Sequence, residues 1–131
     1  MKLRIRQNSL RLRLNRSDLE QFRKAGICAE TIHFAPGSQL TYTLETSSRW
    51  TVMDTRYDSD CIRVLLPLKT AEKWAESDQV SISLQHPGES GPSVLIEKDL
   101  QCLNCEGRDL SEDADSFPNP LARNHESNRA K

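Results

Sequence analysis

Long apolar runs and glycines are both scarce in this chain of 131 residues. No apolar stretch approaches the ~20 residues that a helix needs to cross a bilayer. Arginines also interrupt the N-terminal segment, where a secretory signal needs a continuous apolar core. The sequence therefore predicts a cytoplasmic protein without membrane contacts.

Sequence patterns typical of catalytic sites are missing as well. The five glycines form no Gly-rich phosphate loop, and neither a Gly-x-Ser-x-Gly nor a His-Glu-x-x-His sequence occurs. The three histidines lie far apart in the chain, so spacing brings no nucleophile, base and orienting group together. We therefore expect no enzymatic activity and no cofactor.

Cysteines number four, and in a reducing compartment we expect them to be thiols rather than a disulfide framework. Cys102 and Cys105 have the spacing of half a zinc site, but a complete site needs two more ligands. The other soft ligands, scattered singly along the chain, are Cys28, Cys61, His33 and His86. Zinc binding at Cys102 and Cys105 is therefore only the third hypothesis for this protein.

Charge is balanced over the whole chain, with a net value of -1, but it is not evenly distributed. Residues 1–26 carry eight Lys and Arg against two acids, whereas the remaining residues carry ten against seventeen. This asymmetry predicts either an anion-binding surface at one end or internal pairing between the two parts.

The first fourteen residues, MKLRIRQNSLRLRL, alternate apolar and cationic side chains around a polar Gln-Asn-Ser break. Successive side chains of a strand face opposite sides. The pattern therefore predicts a hairpin with one apolar face and one row of cations. This cationic row consists of Lys2, Arg4, Arg6, Arg11 and Arg13.

A helix and two strands are predicted after the hairpin. Ser17 and Glu20 have the spacing of a capping box, and Gly26 stands where a helix commonly ends. The strands that follow are Ala29–Phe34, with Ile32 and Phe34 inward, and Leu40–Glu45, separated by a Pro36-Gly37-Ser38 turn.

The second half of the sequence predicts the same order of elements. These are strand Trp50–Met53, a turn at 57–60, strand Ile62–Leu66, a helix capped by Thr70, and strands Val80–Leu84 and Ser93–Lys98. With a shift of 52 residues, residues 10–45 overlie residues 62–97 in element order and apolar phase. Aromatic residues at these positions, Phe22, Tyr42, Trp50 and Trp74, are expected in the core.

These patterns predict an α+β fold built from two β-β-α-β-β units, residues 1–46 and 49–99. The units are expected to form one small mixed or antiparallel sheet, or a barrel, in a single domain of residues 1–100. Residues 101–131 are predicted to be a polar, acidic and partly disordered tail.

Several phrases of the sequence resemble a family of small uncharacterised bacterial proteins, a domain of unknown function. They are KLRIR-x-NSLRLRL, LTYTLE, AEKWAESDQV, and LIEKDLQCL with EDADSFPNP. The resemblance covers nearly the whole chain and implies no activity.

The order of Asn8-Ser9, an apolar strand and a short helix also resembles the swapped-hairpin (AbrB or MazE-like) domain of transcription factors and antitoxins. Gln7 and Asn15 stand where that family has glycine and proline. Such domains interleave hairpins as dimers, which implies a monomeric pseudo-dimer or a homodimer here. The resemblance implies DNA contacts by Arg4, Arg6, Asn8, Ser9, Arg11 and Arg13.

Two main hypotheses of function follow. The first is a non-enzymatic binding module, regulator-like or antitoxin-like, whose Arg-rich hairpin contacts DNA or another polyanion. The alternative is a protein-interaction or structural module in which the cationic row is paired internally. The acids expected to pair with it are Glu30, Glu45, Glu97 and Asp99, or the acidic segment 106–115.

Overall fold

The computed structural model describes residues 1–85, 91–100 and 117–118. The described elements are β1 (Lys2–Arg6), β2 (Ser9–Leu14), α1 (Arg16–Ala25), β3 (Ile27–Ala35), β4 (Ser38–Ser47), β5 (Asp54–Asp58), β6 (Cys61–Pro67), α2 (Leu68–Glu76), β7 (Ser81–Leu84) and β8 (Ser93–Lys98). This order is β-β-α-β-β twice over, and it confirms the predicted α+β class with two units.

The strands of the described residues form two four-stranded sheets rather than the single sheet or barrel that was predicted. Sheet A has the strand order β1-β2-β8-β7, and sheet B has the order β3-β4-β6-β5. Each sheet has a parallel pair at its centre, β2 with β8 and β4 with β6, between two antiparallel hairpins.

The two units exchange hairpins within one chain. Hairpin β1–β2 pairs with the last strand of the second unit, and hairpin β5–β6 pairs with the last strand of the first. The same shift of 52 residues relates both pairings, because Leu12 lies beside Ile96 as Val64 lies beside Leu44. Only β7 does not follow the shift of 52. Two additional residues separate β7 from α2, so β7 corresponds to β3 with a shift of 54 residues.

One core cluster joins both sheets and both helices. Its largest fully buried side chains are Trp74 of α2 and Phe22 of α1, which occupy equivalent positions of the two units. Trp74 Nε1 donates a hydrogen bond to Val80 O at 3.0 Å, so the buried indole N–H is not left unpaired. The prediction that these two aromatic residues belong to the core is confirmed. Tyr42 is half-buried against the cluster, and Trp50 is half-buried outside it.

Both helices begin at residues other than those predicted. Asn15, not Ser17, caps α1: its side chain accepts from the Asp18 N–H at 2.9 Å, and the Asp18 carboxylate accepts from the Asn15 N–H at 3.1 Å. Pro67 stands at the N-cap of α2, which has no side-chain cap hydrogen bond, and Thr70 lies inside the helix. The predicted end of α1 is confirmed, since Gly26 has the left-handed φ of 74° that favours glycine.

Two of the predicted strands differ from the structure. Ile32 and Phe34 of β3 do not point into the core: they are 43% and 68% exposed. They lie where hairpin β3–β4 extends past its neighbour, because β6 pairs with β4 only from Thr41 onward. Residues 50–53 form no strand; the strand is β5, which begins at Asp54 and extends over the first two residues of the turn predicted at 57–60. The turn is shorter than expected because Ser59 and Asp60, both with positive φ, make a two-residue connection.

The chain returns to the end of β8 at Phe117. The Phe117 N–H donates to Asp99 O at 2.9 Å, and the Phe117 ring lies 5.5 Å from Lys98 Nζ. Lys98 is buried, and burial lowers its pKa. Apart from Phe117 and Pro118, the predicted tail of residues 101–131 lies outside the described residues.

The cap of α1 gives a direct test of this helix start. We expect Asn15→Ala to lower the free energy of unfolding by about 1 kcal/mol, because the Asp18 N–H loses its acceptor. Thr70→Ala, inside α2, serves as the control and should change stability by less than about 0.5 kcal/mol. Urea unfolding of both variants measures the difference, and equal stabilities would contradict the assigned cap.

Candidate functional site

The cations of the first hairpin lie on the solvent-facing side of sheet A, which we call the basic face. The alternate residues of the same strands, including Leu12, Leu14 and Ile96, are buried in the core, so the pleat directs the remaining side chains outward. The basic face comprises Lys2, Arg4, Arg6, Ser9, Arg11, Arg13, Ser81, Ser83, Ser93, Leu95 and Glu97.

Like charges stand directly opposite each other on this face. Lys2 is the cross-strand partner of Arg13, and Arg4 is the cross-strand partner of Arg11. Like charges in such positions destabilise a sheet. Five cations share the face with one acid, Glu97. The face therefore carries a repulsion that folding has to overcome.

Acidic side chains neutralise one end of the basic face. Glu97 Oε1 lies 2.6 Å from Arg13 Nε and 3.3 Å from Arg11 Nε. Lys2 Nζ lies 3.2 Å from Asp99 Oδ2. The internal pairing that the sequence offered as an alternative is therefore present for Glu97 and Asp99.

The two other acids expected near the cationic row have different partners. Glu30 lies 3.0 Å from the ammonium group of Met1, which is also 2.8 Å from Asp18. These two carboxylates raise the pKa of the Met1 amine against the opposing effect of its burial, which is the largest single influence. Glu45 belongs to sheet B, where it pairs with Arg63.

The other end of the basic face is not neutralised. Within the described residues, Arg4 and Arg6 form no ion pair. Together with Arg11 they line an open cavity of about 330 Å³. The polar and apolar groups that complete its wall are Ser9, Ser83, Gln85, Ser93, Leu10, Leu84, Val94 and Leu95. Guanidinium and hydroxyl donors around one cavity suit an anion with several oxygen acceptors.

Asn8 and Ser9, predicted as contacts by resemblance, have structural roles in the turn. Asn8 Nδ2 donates to Gly91 O at 3.3 Å, and Asn8 O accepts from the Ser93 N–H at 3.0 Å. Ser9 Oγ donates to Arg6 O at 2.6 Å. Ser9 lines the cavity on the basic face, whereas Asn8 ties the turn to the start of β8.

Strands β7 and β8 add residues to the site that the sequence did not indicate. Ser83, Gln85 and Ser93 reach the cavity because β8 pairs in parallel with β2 and β7 pairs with β8. These residues lie more than sixty positions from the hairpin. The serines that alternate with apolar residues in β7 were the only local signal, and they are equally typical of any solvated strand face.

Sheet B presents the equivalent positions with a different charge pattern. The counterparts of the five cations, in order from Lys2 to Arg13, are Asp54, Arg56, Asp58, Arg63 and Leu65. Arg63 donates to both carboxylate oxygens of Glu45, at 2.8 and 3.0 Å. The bonds to Arg63 lower the pKa of Glu45, and Glu45 in turn raises the pKa of Arg63. A surplus of positive charge is therefore confined to the face of sheet A.

Metal ligands are not assembled in the part of the chain that the structure describes. No group of three or more His, Cys, Asp or Glu side chains converges there. Cys28 is buried, and burial raises the pKa of its thiol to about 11. Cys102 and Cys105 lie outside the described residues, so zinc binding by this pair stays a prediction.

The Glu45–Arg63 pair predicts how stability depends on pH. A carboxyl whose pKa is lower in the folded state contributes stability above its unfolded pKa of about 4.5, and loses it as the pH falls through the folded pKa. We expect the stability of the native chain to fall more steeply between about pH 5 and pH 3 than that of Glu45→Gln. Glu20→Gln, at an exposed helix position, is the control. Parallel curves for native and Glu45→Gln in urea unfolding would contradict this role.

Comparison with known proteins gives a family but no activity. No curated protein and no solved structure matches the chain. The resemblance to swapped-hairpin domains therefore stays a prediction, as do a bacterial origin and a cytoplasmic location. The described helices, of ten and nine residues, are too short to cross a bilayer as apolar spans. Residues 1–121 match the model of a family of unknown function, DUF7009, and the chain belongs to that family.

Proposed function

We propose that the protein is a non-enzymatic binding module that holds the phosphate backbone of duplex DNA on the basic face. The observation that carries this proposal is the end of the face where Arg4, Arg6 and Arg11 surround an open cavity. No acid of the described residues is paired with Arg4 or Arg6. An anionic ligand would supply the negative charge that the fold itself does not place there.

Phosphate is the ligand chemistry that these side chains favour. Arginine presents a planar fork of donors that matches two oxygens of a phosphate, and serine hydroxyls add further donors. The basic face has no aromatic residue among its described side chains, so it offers no platform on which unpaired bases could stack. This composition favours contacts with the backbone of a duplex over contacts with single-stranded bases.

The dimensions of the face also suit a duplex. From Lys2 to Arg6 the strand rises by ~13 Å, a length over which duplex DNA carries roughly eight phosphate charges. Several cations can therefore contact phosphates at once. Backbone contacts of this kind carry no sequence information, so we expect binding to depend weakly on base sequence and strongly on salt.

A second candidate function rests on the acids at the other end of the face. Glu97 and Asp99 already pair with Arg13, Arg11 and Lys2. If the remaining cations serve only solubility, the protein is a structural or protein-interaction module that does not bind DNA. The acidic segment 106–115, which was predicted to mask the face in one version of this alternative, lies outside the described residues.

Removal of the unpaired cations tests the proposal. We expect Arg4→Gln/Arg6→Gln to weaken binding of a fluorescein-labelled 20-base-pair duplex at low salt by at least about tenfold. The slope of log K against log salt should become shallower by about 1.8, since two phosphate contacts are lost. Fluorescence anisotropy measures both quantities.

The matched control removes the same charge elsewhere. Arg56→Gln/Arg16→Gln deletes the counterpart of Arg4 in sheet B together with an exposed cation of α1. This variant should bind the duplex within about twofold of the native chain, since neither residue lies on the basic face. Equal losses of duplex affinity in the two double variants would show that binding depends on net charge and not on the basic face. No binding by the native chain would favour the structural alternative.

A further inference from the structure

The two sheets contain the same arginine–glutamate pair in two different states. Arg11 and Glu97 of sheet A correspond to Arg63 and Glu45 of sheet B under the shift of 52 residues. In sheet B the pair is closed, because Arg63 donates two hydrogen bonds to Glu45. In sheet A it is open, by which we mean an ion pair without a hydrogen bond: Arg11 Nε is paired with Glu97 Oε1 at 3.3 Å, and among the described residues no hydrogen bond joins them.

A second arginine accounts for the open pair. Arg13 Nε donates to Glu97 Oε1 at 2.6 Å. Arg13 is the direct cross-strand neighbour of Glu97, so this hydrogen bond holds the carboxylate beside Arg13. The counterpart of Arg13 in sheet B is Leu65, which has no charge to compete for Glu45. The carboxylate of sheet A therefore has a stronger partner than Arg11.

Sheet B also has a hydroxyl group that holds its glutamate against its arginine and that has no counterpart in sheet A. Thr43, the direct neighbour of Arg63, donates to Glu45 Oε2 at 2.7 Å and helps to hold that carboxylate against Arg63. Its counterpart beside Arg11 is Leu95, which has no donor. Both differences between the sheets leave Arg11 with a weaker contact to its acid than Arg63 has, and Arg11 lines the cavity of the basic face.

We propose that Arg13 is a positioning residue, which keeps the Glu97 carboxylate in its own hydrogen bond, so that Arg11 has only an ion-pair contact with Glu97 and its guanidinium donors stay available to an anion. This inference rests on the proposed function of the basic face. Without Arg13, Glu97 would close on Arg11 as Glu45 closes on Arg63. Arg13 thus acts on the ligand through Glu97 and Arg11, not only through its own charge.

A double-mutant cycle separates this role from a simple contact. We expect Arg11→Gln and Arg13→Gln each to weaken binding of the labelled 20-base-pair duplex by about tenfold, and the double variant to bind within about twofold of either single variant. If Arg11 and Arg13 contribute independently, the losses multiply to about a hundredfold, and the positioning role is refuted.

Two rescue variants sharpen the result. Arg13→Lys keeps a cation beside Glu97, so it should bind the duplex within about threefold of the native chain. Glu97→Gln in the Arg13→Gln background removes the carboxylate that would close on Arg11. In this Arg13→Gln/Glu97→Gln chain, a further Arg11→Gln substitution should again weaken duplex binding by about tenfold. Failure of either rescue would contradict the proposal, and equal urea midpoints show that the variants are folded.

A measurement without DNA separates failure of this inference from failure of the proposed function. In nitrogen-15 NMR spectra of the arginine Nε–H groups, the Arg11 signal of Arg13→Gln should move toward that of Arg63, because the ion-pair contact of Arg11 with Glu97 becomes a hydrogen bond. An unchanged Arg11 signal would overturn the positioning role even if the native chain binds DNA. A shifted signal in a chain that binds no duplex would overturn only the proposed function.

Discussion

The parallel pairing of β2 with β8 is the constraint on which the rest of the structure depends. It joins a strand near the start of the chain to one more than eighty residues later, and the pairing of β4 with β6 repeats it in the other sheet. Neither unit can complete a sheet alone, because each hairpin lies beside the last strand of the other unit. The core follows from this exchange, since the buried Leu12 and Leu14 belong to β2, which lies beside β8 of the opposite unit. The basic face follows as well, because its arginines come from β1 and β2, whereas three of its four serines come from β7 and β8.

The pseudo-symmetric arrangement makes sheet B an internal reference for sheet A. Both sheets have equivalent strand registers, so the difference between their outer faces reflects side chains rather than backbone. Sheet B alternates acids and cations and closes Arg63 on Glu45. The same backbone in sheet A carries two pairs of opposed cations, whereas sheet B carries one, Arg56 with Arg63, and like charges in such positions lower stability. A sheet face that needed only to be solvated could have been neutralised as sheet B is, which is why we base the proposed anionic ligand on the unneutralised end of the basic face.

Local patterns in the sequence predicted most of the strands and the hairpin of β1 with β2, but not which strands of the two units lie beside each other. Alternation identified β2, β4 and β8, and Gly26 and Pro67 marked the ends of α1 and β6. A period of two tells which residues share a face, yet it contains no information on which strand lies beside it. For this reason Arg4, Arg6 and Arg11 could be predicted as one row, whereas Ser83 and Ser93 could not be placed next to them. The exposure of Ile32 and Phe34 was missed for the same reason, because it depends on where β6 stops pairing with β4.

The exchange of hairpins also couples a ligand to the stability of the fold. An anion in the cavity between Arg11 of β2 and Ser93 of β8 would contact both members of the central parallel pair. It would reduce the repulsion between Arg4 and Arg11 and add the stabilisation that any ligand of the folded state provides. Repulsion on the basic face lowers the stability of the free chain, and an anion bound there would raise the stability of the fold. In sheet B, Arg63 is already hydrogen-bonded to Glu45, so an anion would add no comparable stabilisation there.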